Sequence, residues 1–184
     1  MTHNRLDVRL RAIEPADLPI LKKWRNELKE YFREYRFIND LHQEAWYKST
    51  LTDKAYLHYV VDVYENGWLL VGSCNWSAID WINRSAELGI YIGDQDYWHQ
   101  GVGLKTMLEL HRIAFEVLNL DIVRLEVYDF NPAVRLYRKF GYKDAGVWRM
   151  RKFREGAYHD AFLMDMTREE WSALYGRGCK TTTD

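Results

Sequence analysis

The chain has 184 residues, a formal net charge of −1 and 47% hydrophobic residues, which suits one domain with a full core and gives no electrostatic reason to expect a nucleic-acid or membrane partner. No apolar run reaches the roughly 18 residues that a membrane-spanning helix needs, and the charged N-terminus does not resemble a signal peptide. Because Cys74 and Cys179 form neither a disulfide nor a metal pattern, we expect a cytoplasmic protein without a metal.

The first part of the chain predicts one strand followed by two helices. Residues 6–13 alternate between apolar and polar side chains, which is typical of a half-buried strand. Pro15 begins a helix that is predicted to continue to Phe32. A second helix is predicted over residues 40–51, with Asp40 as its cap and a glutamine three residues later completing a capping box.

The middle of the chain predicts an antiparallel meander of three strands. Asn66-Gly67 stands between two β-rich runs and is the strongest short hairpin signal in the sequence. Asn83-Arg84-Ser85 marks a second turn. The three predicted strands cover residues 56–65, 68–81 and 86–92.

The second half alternates helices and strands. A helix is predicted over residues 103–118, because apolar side chains recur at spacings of three and four. A strand over residues 121–130 follows, and Pro132 then begins a short helix that Gly141 ends. Glu155-Gly156 is the predicted turn of a final hairpin.

A short helix over residues 167–175 and a disordered tail over residues 176–184 complete the predicted elements. Up to that short final helix, the order of elements is β-α-α-β-β-β-α-β-α-β-β. This order indicates a single α/β domain over residues 1–175, in which helices cover a mostly antiparallel sheet.

The stretch "DQDYWHQGVGLKTML", residues 94–108, places Gly101 and Gly103 between a strand and a helical run. The first N–H groups of a helix have no partner within the helix, and glycines let an anion approach the backbone closely. The loop 98–104 is therefore either a pyrophosphate site or an ordinary structural turn. A dinucleotide-binding fingerprint is disfavoured, because Thr106 stands where its third glycine would be.

Two longer stretches, "AELGIYIGDQDYWHQGVG" and "EVYDFNPAVRLYRKFGYKDAGVWRM", together resemble the GNAT acetyltransferase superfamily. The resemblance covers nearly the whole chain and is strongest to the branch that acetylates ribosomal-protein N-termini, polyamines and amino sugars. Trp24-Arg25-Asn26, Trp98 and Leu136-Tyr137 carry it. It implies a mixed, mostly antiparallel sheet that is splayed at its centre and flanked by about four helices. It also implies acetyl transfer from acetyl-CoA to a primary amine, directly and in a ternary complex.

The resemblance also implies where acetyl-CoA would bind. Backbone N–H groups of the glycine loop would hold the pyrophosphate, and the preceding strand would pair with the pantetheine arm. An asparagine before the later helix would also contact the cofactor, although the step from Asn131 to Tyr137 is six residues, where the family commonly has seven. The matching residues are Ile90, Tyr91, Ile92, Gln100, Gly101, Val102, Gly103, Leu104 and Asn131.

Acetyl transfer to an amine needs a base, an oxyanion donor and a proton donor for the departing thiolate. By the resemblance, the N–H of Tyr91 is the oxyanion donor, and Tyr137 is the proton donor unless it is an ordinary packed tyrosine. Glu87 stands fourteen residues before Gly101, as in the histone-acetylating branch, and is the first candidate for the base. Glu126 matches a glutamate of the ribosomal alanine-acetylating branch and is the alternative. Either carboxylate could instead be solvated.

We expect the acceptor, a small-molecule or peptide amine, to enter opposite the cofactor, between the first two helices and the last hairpin. Glu30 and Glu34 there would attract a cationic amine, whereas the arginines of the hairpin would attract an acidic or phosphorylated one. A monomer or homodimer is expected. The alternative to an enzyme is a non-catalytic module of the same fold that binds acetyl-CoA or a protein partner. The predicted acceptor-binding residues are Trp24, Glu30, Tyr31 and Trp148.

Overall fold

A computed structural model describes residues 6–176, which form one seven-stranded sheet and five α-helices. The strands are β1 (Asp7–Ala12), β2 (Leu57–Tyr64), β3 (Trp68–Asp80), β4 (Ser85–Ile92), β5 (Ile122–Tyr128), β6 (Lys143–Arg154) and β7 (Ala157–Thr167). The helices are α1 (Leu18–Glu27), α2 (Asp40–Thr50), α3 (Val102–Arg112), α4 (Ala133–Phe140) and α5 (Arg168–Tyr175). The strand order is β1-β2-β3-β4-β5-β7-β6. Apart from Gly176, the predicted disordered tail lies outside the described residues.

All neighbouring strands pair antiparallel except β4 and β5. These two parallel strands pair only where residues 85–87 lie opposite residues 122–124, and beyond that point they diverge. β4 continues along β3 to Ile92, and β5 continues along β7 to Tyr128. A gap therefore opens between β4 and β5, which confirms the predicted splay at the centre of the sheet.

The sheet carries a core on each face. On one face, α3 and α4 pack on apolar side chains that include Leu88 and Leu125. On the other face, α1 and α2 cover a smaller cluster around Leu21 and Val60, against which Tyr91 packs. Because side chains alternate along a strand, the odd-numbered residues of β4 and the even-numbered residues of β5 face α1 and α2.

The first predicted helix was wrong in extent. Pro15–Asp17 form a 3₁₀ turn, α1 begins at Leu18, and Lys29–Tyr31 form a second 3₁₀ turn. Pro19 has no N–H, and its ring would clash with the carbonyl four residues earlier. An α-helix therefore cannot run from the first turn into α1, although a proline is tolerated in the first turn of α1 itself.

The cap of α2 lies one residue earlier than predicted. Oδ1 of Asn39 accepts a hydrogen bond from the backbone N–H of His42 at 2.9 Å. Asp40 is instead the first helical residue, and its carboxylate pairs with Lys22. Asparagine and aspartate are both strong caps, so the sequence alone did not distinguish these adjacent residues.

The remaining elements follow the prediction closely. The turn at Asn66-Gly67 joins β2 to β3, and α4 ends just before Gly141. The predicted helix over residues 103–118 is α3 followed by a π-helical turn, Ile113–Val117. The five α-helices in the described part of the chain correspond to the five helices that the sequence predicted, including the short final one, α5.

No helix within residues 6–176 is both long and apolar enough to cross a bilayer. In that stretch, no three His, Cys, Asp or Glu side chains are placed so that they could hold a metal ion. Cys74 is a buried free thiol, and Cys179 lies outside the described residues.

Candidate active site

The gap between β4 and β5 opens into a cavity of about 1230 Å³. Its walls come from both strands, from the loop after α1, from α2, and from the starts of α3 and α4. Most of the residues that the sequence assigned to the donor and to the chemistry meet around this one space. The predicted residues that line it are Tyr31, Glu87, Ile90, Tyr91, Ile92, Gly101, Val102, Gly103, Leu104, Glu126, Asn131 and Tyr137.

Gln100, Glu30 and Trp148 are not among the residues that line the cavity. Gln100 is exposed, and its side-chain amide donates to the carbonyl of Asp96 at 2.6 Å. Glu30 is ion-paired with Arg154, with 2.6 Å between Oε2 and Nη2. Trp148 lies on β6 and is 46% exposed. The geometry does not support a contact between these three side chains and a ligand in the cavity, so their binding roles stay predictions.

The Trp24-Arg25-Asn26 motif holds one wall of the cavity. Trp24 is 5% exposed, and its indole packs so closely on Gly93 that a Cβ there would lie 2.1 Å from the ring. Asn26 binds the backbone of Ile38 twice, donating to its carbonyl at 2.9 Å and accepting from its N–H at 2.8 Å. Arg25, between them, lines the cavity, whereas Trp24 does not. Trp24 therefore supports the wall from behind, and an acceptor contact by Trp24 is not supported.

The glycine loop ends at the N-terminus of α3. Gly101 is the N-cap residue, with φ 80° and ψ 0°, a left-handed conformation that disfavours residues with a Cβ. A Cβ at Gly101 would meet nothing within 4 Å, so the backbone conformation, and not lack of space, favours glycine here. The N–H groups of Val102, Gly103 and Leu104 have no partner within the helix, and these residues line the cavity. The N-terminus of α3 therefore offers N–H donors and a positive dipole end to an anion there.

Backbone pairing determines which N–H groups of β4 face the gap. The N–H of Gly93 donates to the carbonyl of Val71 at 2.8 Å, which marks these residues as a hydrogen-bonded pair of the antiparallel ladder. Hydrogen-bonded and non-hydrogen-bonded pairs alternate along such a ladder, and the register is regular from Glu87 to the end of β4. The N–H of Tyr91 therefore points toward β3, whereas the N–H of Ile90 points into the gap. This pairing favours Ile90 over Tyr91 as the oxyanion donor.

The carbonyl of Ile92 supports this orientation. It accepts a hydrogen bond from the indole Nε1 of Trp98 at 2.8 Å, so it points away from β3. The same bond ties the glycine loop to the end of β4. Ile90 and Ile92 thus present backbone groups to any extended chain that lies in the gap, as the predicted pairing with a pantetheine arm requires.

Tyr137 approaches the gap from the side of α3 and α4. It is 8% exposed and lines the cavity, and its ring lies edge-on to that of Tyr142, with centroids 6.0 Å apart. Among residues 6–176, its hydroxyl has no hydrogen-bond partner. Burial raises the pKa of Tyr137, because an apolar environment disfavours the phenolate. The hydroxyl therefore keeps its proton and is free to donate it into the cavity.

Tyr142 is itself fixed by a buried histidine. Nδ1 of His111 lies 2.7 Å from the carbonyl of Met107, and Nε2 lies 2.7 Å from the hydroxyl of Tyr142. A carbonyl only accepts, so Nδ1 carries the proton and Nε2 accepts from Tyr142. Burial lowers the pKa of His111 to about 3, and the ring is therefore neutral at physiological pH.

Glu87 and Glu126 lie on the opposite side of the gap and share Arg33. Nη2 of Arg33 lies 2.9 Å from Oε2 of Glu126 and also pairs with Oε1 of Glu87. Arg151 approaches the other oxygen of Glu126 at 2.7 Å. The Glu126 side chain is 4% exposed and that of Glu87 is 34% exposed. Glu87, which keeps one oxygen without a partner among the described residues, is better placed to accept a proton.

Aromatic residues that the sequence did not single out complete this side of the cavity. His58 is edge-on to Trp46, with centroids 4.8 Å apart, and its Nδ1 lies 2.9 Å from the hydroxyl of Tyr56. Burial, with Arg25 nearby, lowers the pKa of His58 to about 4. The high aromatic content of the chain, 15%, was the signal for these residues, but composition does not say which rings line a cavity.

The family model described as an acetyltransferase (GNAT) domain matches residues 7–143, more than half of the chain. The chain therefore belongs to the GNAT acetyltransferases. It is an acyltransferase that uses acetyl-CoA and transfers acetyl to an amine.

Relatives and solved structures agree with this assignment. The SPbeta prophage-derived uncharacterized N-acetyltransferase YokL of Bacillus subtilis strain 168 is 28% identical over 170 residues, which cover 91% of this chain and 93% of that protein. The L-amino acid N-acetyltransferase AaaT of Escherichia coli K12 is 31% identical over 80 residues, which cover 43% of this chain and 49% of that protein. The crystal structure of spermidine N-acetyltransferase from Vibrio cholerae with CoA and spermine has a TM-score of 0.83 at 27% identity, covering 89% of this chain and 97% of that chain. The predicted family and fold are confirmed.

Proposed function

We propose that this protein transfers an acetyl group directly from acetyl-CoA to a primary amine while both are bound. One observation carries the proposal: the gap between β4 and β5 presents Tyr137 on one side of the sheet and Glu87 on the other. A thioester held in the gap would have its sulfur within reach of a proton donor and its carbonyl open to an amine beside a base. Tyr137 as the acid and Glu87 as the base can then act on the same thioester from opposite sides.

The donor would lie along the end of β4 and the start of α3. Its phosphates fit the N–H groups at residues 101–104, and its extended arm fits the backbone of Ile90 and Ile92 that faces the gap. The N–H of Ile90 would stabilise the developing oxyanion. Oδ1 of Asn131 accepts from the backbone N–H of Ala133 at 2.9 Å, which leaves the amide NH₂ of Asn131 to contact the donor.

The acceptor would approach from the side of α1 and α2. An ammonium is not a nucleophile, so Glu87 takes a proton from it, directly or through a water molecule. Arg33 now occupies the position between Glu87 and Glu126 where that ammonium would bind. The Arg33 side chain is 53% exposed and lies on a loop, and it is therefore free to move aside when the acceptor arrives.

Tyr137 completes the reaction. As the amine nitrogen bonds to the acetyl carbon and the carbon–sulfur bond breaks, the pair of electrons from that bond goes to sulfur, and the nitrogen loses its second proton to solvent. Tyr137 then donates its proton to the thiolate, and solvent restores the proton to Tyr137 after CoA leaves. The support for this role is the free, protonated hydroxyl at the cavity wall.

The experiment is a thiol titration. The protein is incubated with acetyl-CoA and a panel of amino acids, polyamines, amino sugars, aminoglycosides and N-terminal peptides, and free CoA is measured. We expect one class of amine to accelerate CoA release well above the rate without protein. A protein that binds acetyl-CoA by calorimetry yet releases no CoA with any amine would be the non-catalytic module, and the proposal would fail.

We also propose a single domain over residues 1–175 that acts in the cytoplasm as a monomer or homodimer. The support is one continuous sheet through the described residues and a buried, unpaired Cys74. Light scattering of the purified protein measures the assembly, and a defined larger oligomer would contradict this expectation.

A further inference from the structure

The charged side chains that line the cavity are almost all paired with one another. Glu34 accepts hydrogen bonds from Arg36 at 3.3 Å, and Arg33 pairs with both remaining glutamates of the lining. Every carboxylate in the lining therefore has an arginine partner, and one arginine is left over. The charged residues of the lining are Arg25, Arg33, Arg36, Glu34, Glu87 and Glu126.

Arg25 is the arginine of the lining that has no carboxylate partner among the described residues. Its guanidinium lies 3.8 Å from the centre of the Phe32 ring, and within residues 6–176 it has no ion pair and no hydrogen bond. A guanidinium has five N–H donors and stays charged in proteins. Burial lowers the pKa of Arg25, because removal from water disfavours the charged form. Glu34 contributes to the field at Arg25, but its own hydrogen bonds go to Arg36 and nearby backbone.

Arg25 lies on the acceptor side of the gap. Phe32, on which it stacks, is edge-on to Tyr91, with ring centroids 5.3 Å apart. The side chain of Tyr91 packs with α1 and α2, and not with the donor-binding face. Tyr91 directly follows Ile90, whose N–H faces the gap. Arg25 and the gap-facing backbone of Ile90 therefore line the same cavity, with Arg25 on its acceptor side.

We propose that Arg25 binds an anionic group of the acceptor, so that the acceptor is a small amine with a carboxylate or phosphate near its amino group, as in an amino acid. This inference rests on the proposed N-acetyl transfer. A zwitterion brings its ammonium to Glu87 and its anion to the unpaired guanidinium, so each charge meets an opposite one. A polyamine brings further positive charges to a cavity where Glu34 and Glu126 keep Arg36 and Arg151 as partners even when Arg33 moves aside, and where the unpaired residue is cationic.

The test compares acceptors that differ only in the anion. Three pairs consist of an amino acid and its decarboxylated amine: alanine with ethylamine, phenylalanine with phenethylamine, and lysine with cadaverine. Ethanolamine phosphate with ethylamine distinguishes a phosphate from a carboxylate. With saturating acetyl-CoA, kcat/KM is measured by CoA release for each member. The anionic member is expected to be preferred in at least one pair.

Arg25→Gln is the decisive variant. The preference for the anionic member should fall about 10- to 100-fold, the loss expected for charge-assisted hydrogen bonds, with the change mainly in KM. Comparing parent and variant cancels differences in the basicity of the amines. Arg36→Gln is the matched control, because it removes the same charge from the same lining, and it should leave the preference unchanged. Acetyl-CoA affinity, measured calorimetrically, should match the parent in both variants.

A binding measurement separates this inference from the proposed function. Calorimetry of N-acetylalanine, N-acetylphenylalanine, N-acetyllysine and N-acetylethanolamine phosphate with the CoA-bound protein needs no turnover, and Arg25→Gln should weaken the binding of at least one of them. CoA release that is equally efficient for both members of every pair, or a preference that survives Arg25→Gln, overturns the inference while the proposed function stands. No CoA release with any amine overturns the proposed function. Binding that depends on Arg25 would then still support an anion site, and binding that does not would overturn both.

Discussion

The guanidinium of Arg33 lies 2.9 Å from a carboxylate oxygen of Glu126, a side chain that is only 4% exposed. With a second arginine on its other oxygen, this carboxylate has both of its proton-accepting positions in use. Glu126 is therefore a structural anchor for two arginines, and the base is expected elsewhere in the same cavity.

Glu87→Gln should remove the general base. We expect kcat/KM at neutral pH to fall about 10²- to 10⁴-fold, the range for a lost acid–base group. The rate should then follow the small fraction of free amine and rise with pH up to the pKa of the acceptor. Glu126→Gln is the matched control and should keep the parent pH–rate profile. If Glu126→Gln changed the pH–rate profile in this way and Glu87→Gln kept the parent profile, Glu126 and not Glu87 would be the general base.

Tyr137→Phe should remove the proton donor while keeping the ring in place. Because the hydroxyl has no partner among the described residues, unfolding free energy and acetyl-CoA affinity should barely change, whereas kcat should fall about 10²- to 10⁴-fold. Tyr142→Phe is the contrasting variant. It breaks the hydrogen bond to His111, so stability should fall by about 1–3 kcal/mol with chemistry retained. If Tyr137→Phe turned over at the parent rate, Tyr137 would be only a packed ring.

Gly101→Asp and Gly101→Asn together test the phosphate site, because the two introduced side chains have nearly the same size and differ in charge. Asparagine and aspartate both tolerate the left-handed conformation better than other residues with a Cβ, and a Cβ at this position would meet nothing within 4 Å. The aspartate adds a negative charge where phosphates would bind, so we expect its acetyl-CoA dissociation constant to be at least about tenfold that of Gly101→Asn. Equal affinities of the two folded variants, measured calorimetrically, would place the phosphates elsewhere.

His111 should make the fold sensitive to acid. Burial lowers the pKa of His111 from its ordinary 6.5 to about 3. Between these values the unfolded chain binds a proton that the folded chain does not, so stability is complete above pH ~6.5 and falls by up to about 1.4 kcal/mol per unit as pH decreases. Urea unfolding at several pH values from 7.5 to 4.5 should show this slope. In His111→Gln, the decrease in unfolding free energy per pH unit should be smaller than in the parent by up to about 1.4 kcal/mol. Equal slopes in the parent and the variant would contradict a neutral, buried His111.

Local sequence signals predicted the secondary-structure elements well where the residue types favour a single backbone conformation. Asn66-Gly67 predicted a hairpin and Gly141 a helix end because few other conformations suit those residues. The first helix failed because Pro19 was read as part of a continuous helix, although a proline fits only its first turn. The cap at Asn39 was missed because two good capping residues are adjacent.

The residues proposed to bind the donor could be named from the sequence, whereas the roles proposed for Arg25 and Arg33 on the acceptor side could not. The residues at 101–104 follow from the glycine loop, whose backbone acts with little help from distant side chains. The roles of Arg25 and Arg33 depend on tertiary contacts. Arg25 has no carboxylate partner among the described residues, and Arg33 bridges Glu87 on β4 and Glu126 on β5. The orientation of the Ile90 N–H likewise depends on the register of β4 against β3, which no residue type reveals.

The most direct test of the account is a single-turnover experiment with acetyl-CoA labelled with ¹³C in the acetyl group, excess enzyme and an acceptor amine. Mass spectrometry follows the label on CoA, on the amine and on the protein. We predict that the label moves from CoA to the amine with one CoA released for each N-acetyl product, while the mass of the protein stays unchanged throughout. Label that remains on CoA despite binding would mean that the protein does not catalyse transfer under these conditions, and label that accumulates on the protein would contradict direct transfer in a ternary complex.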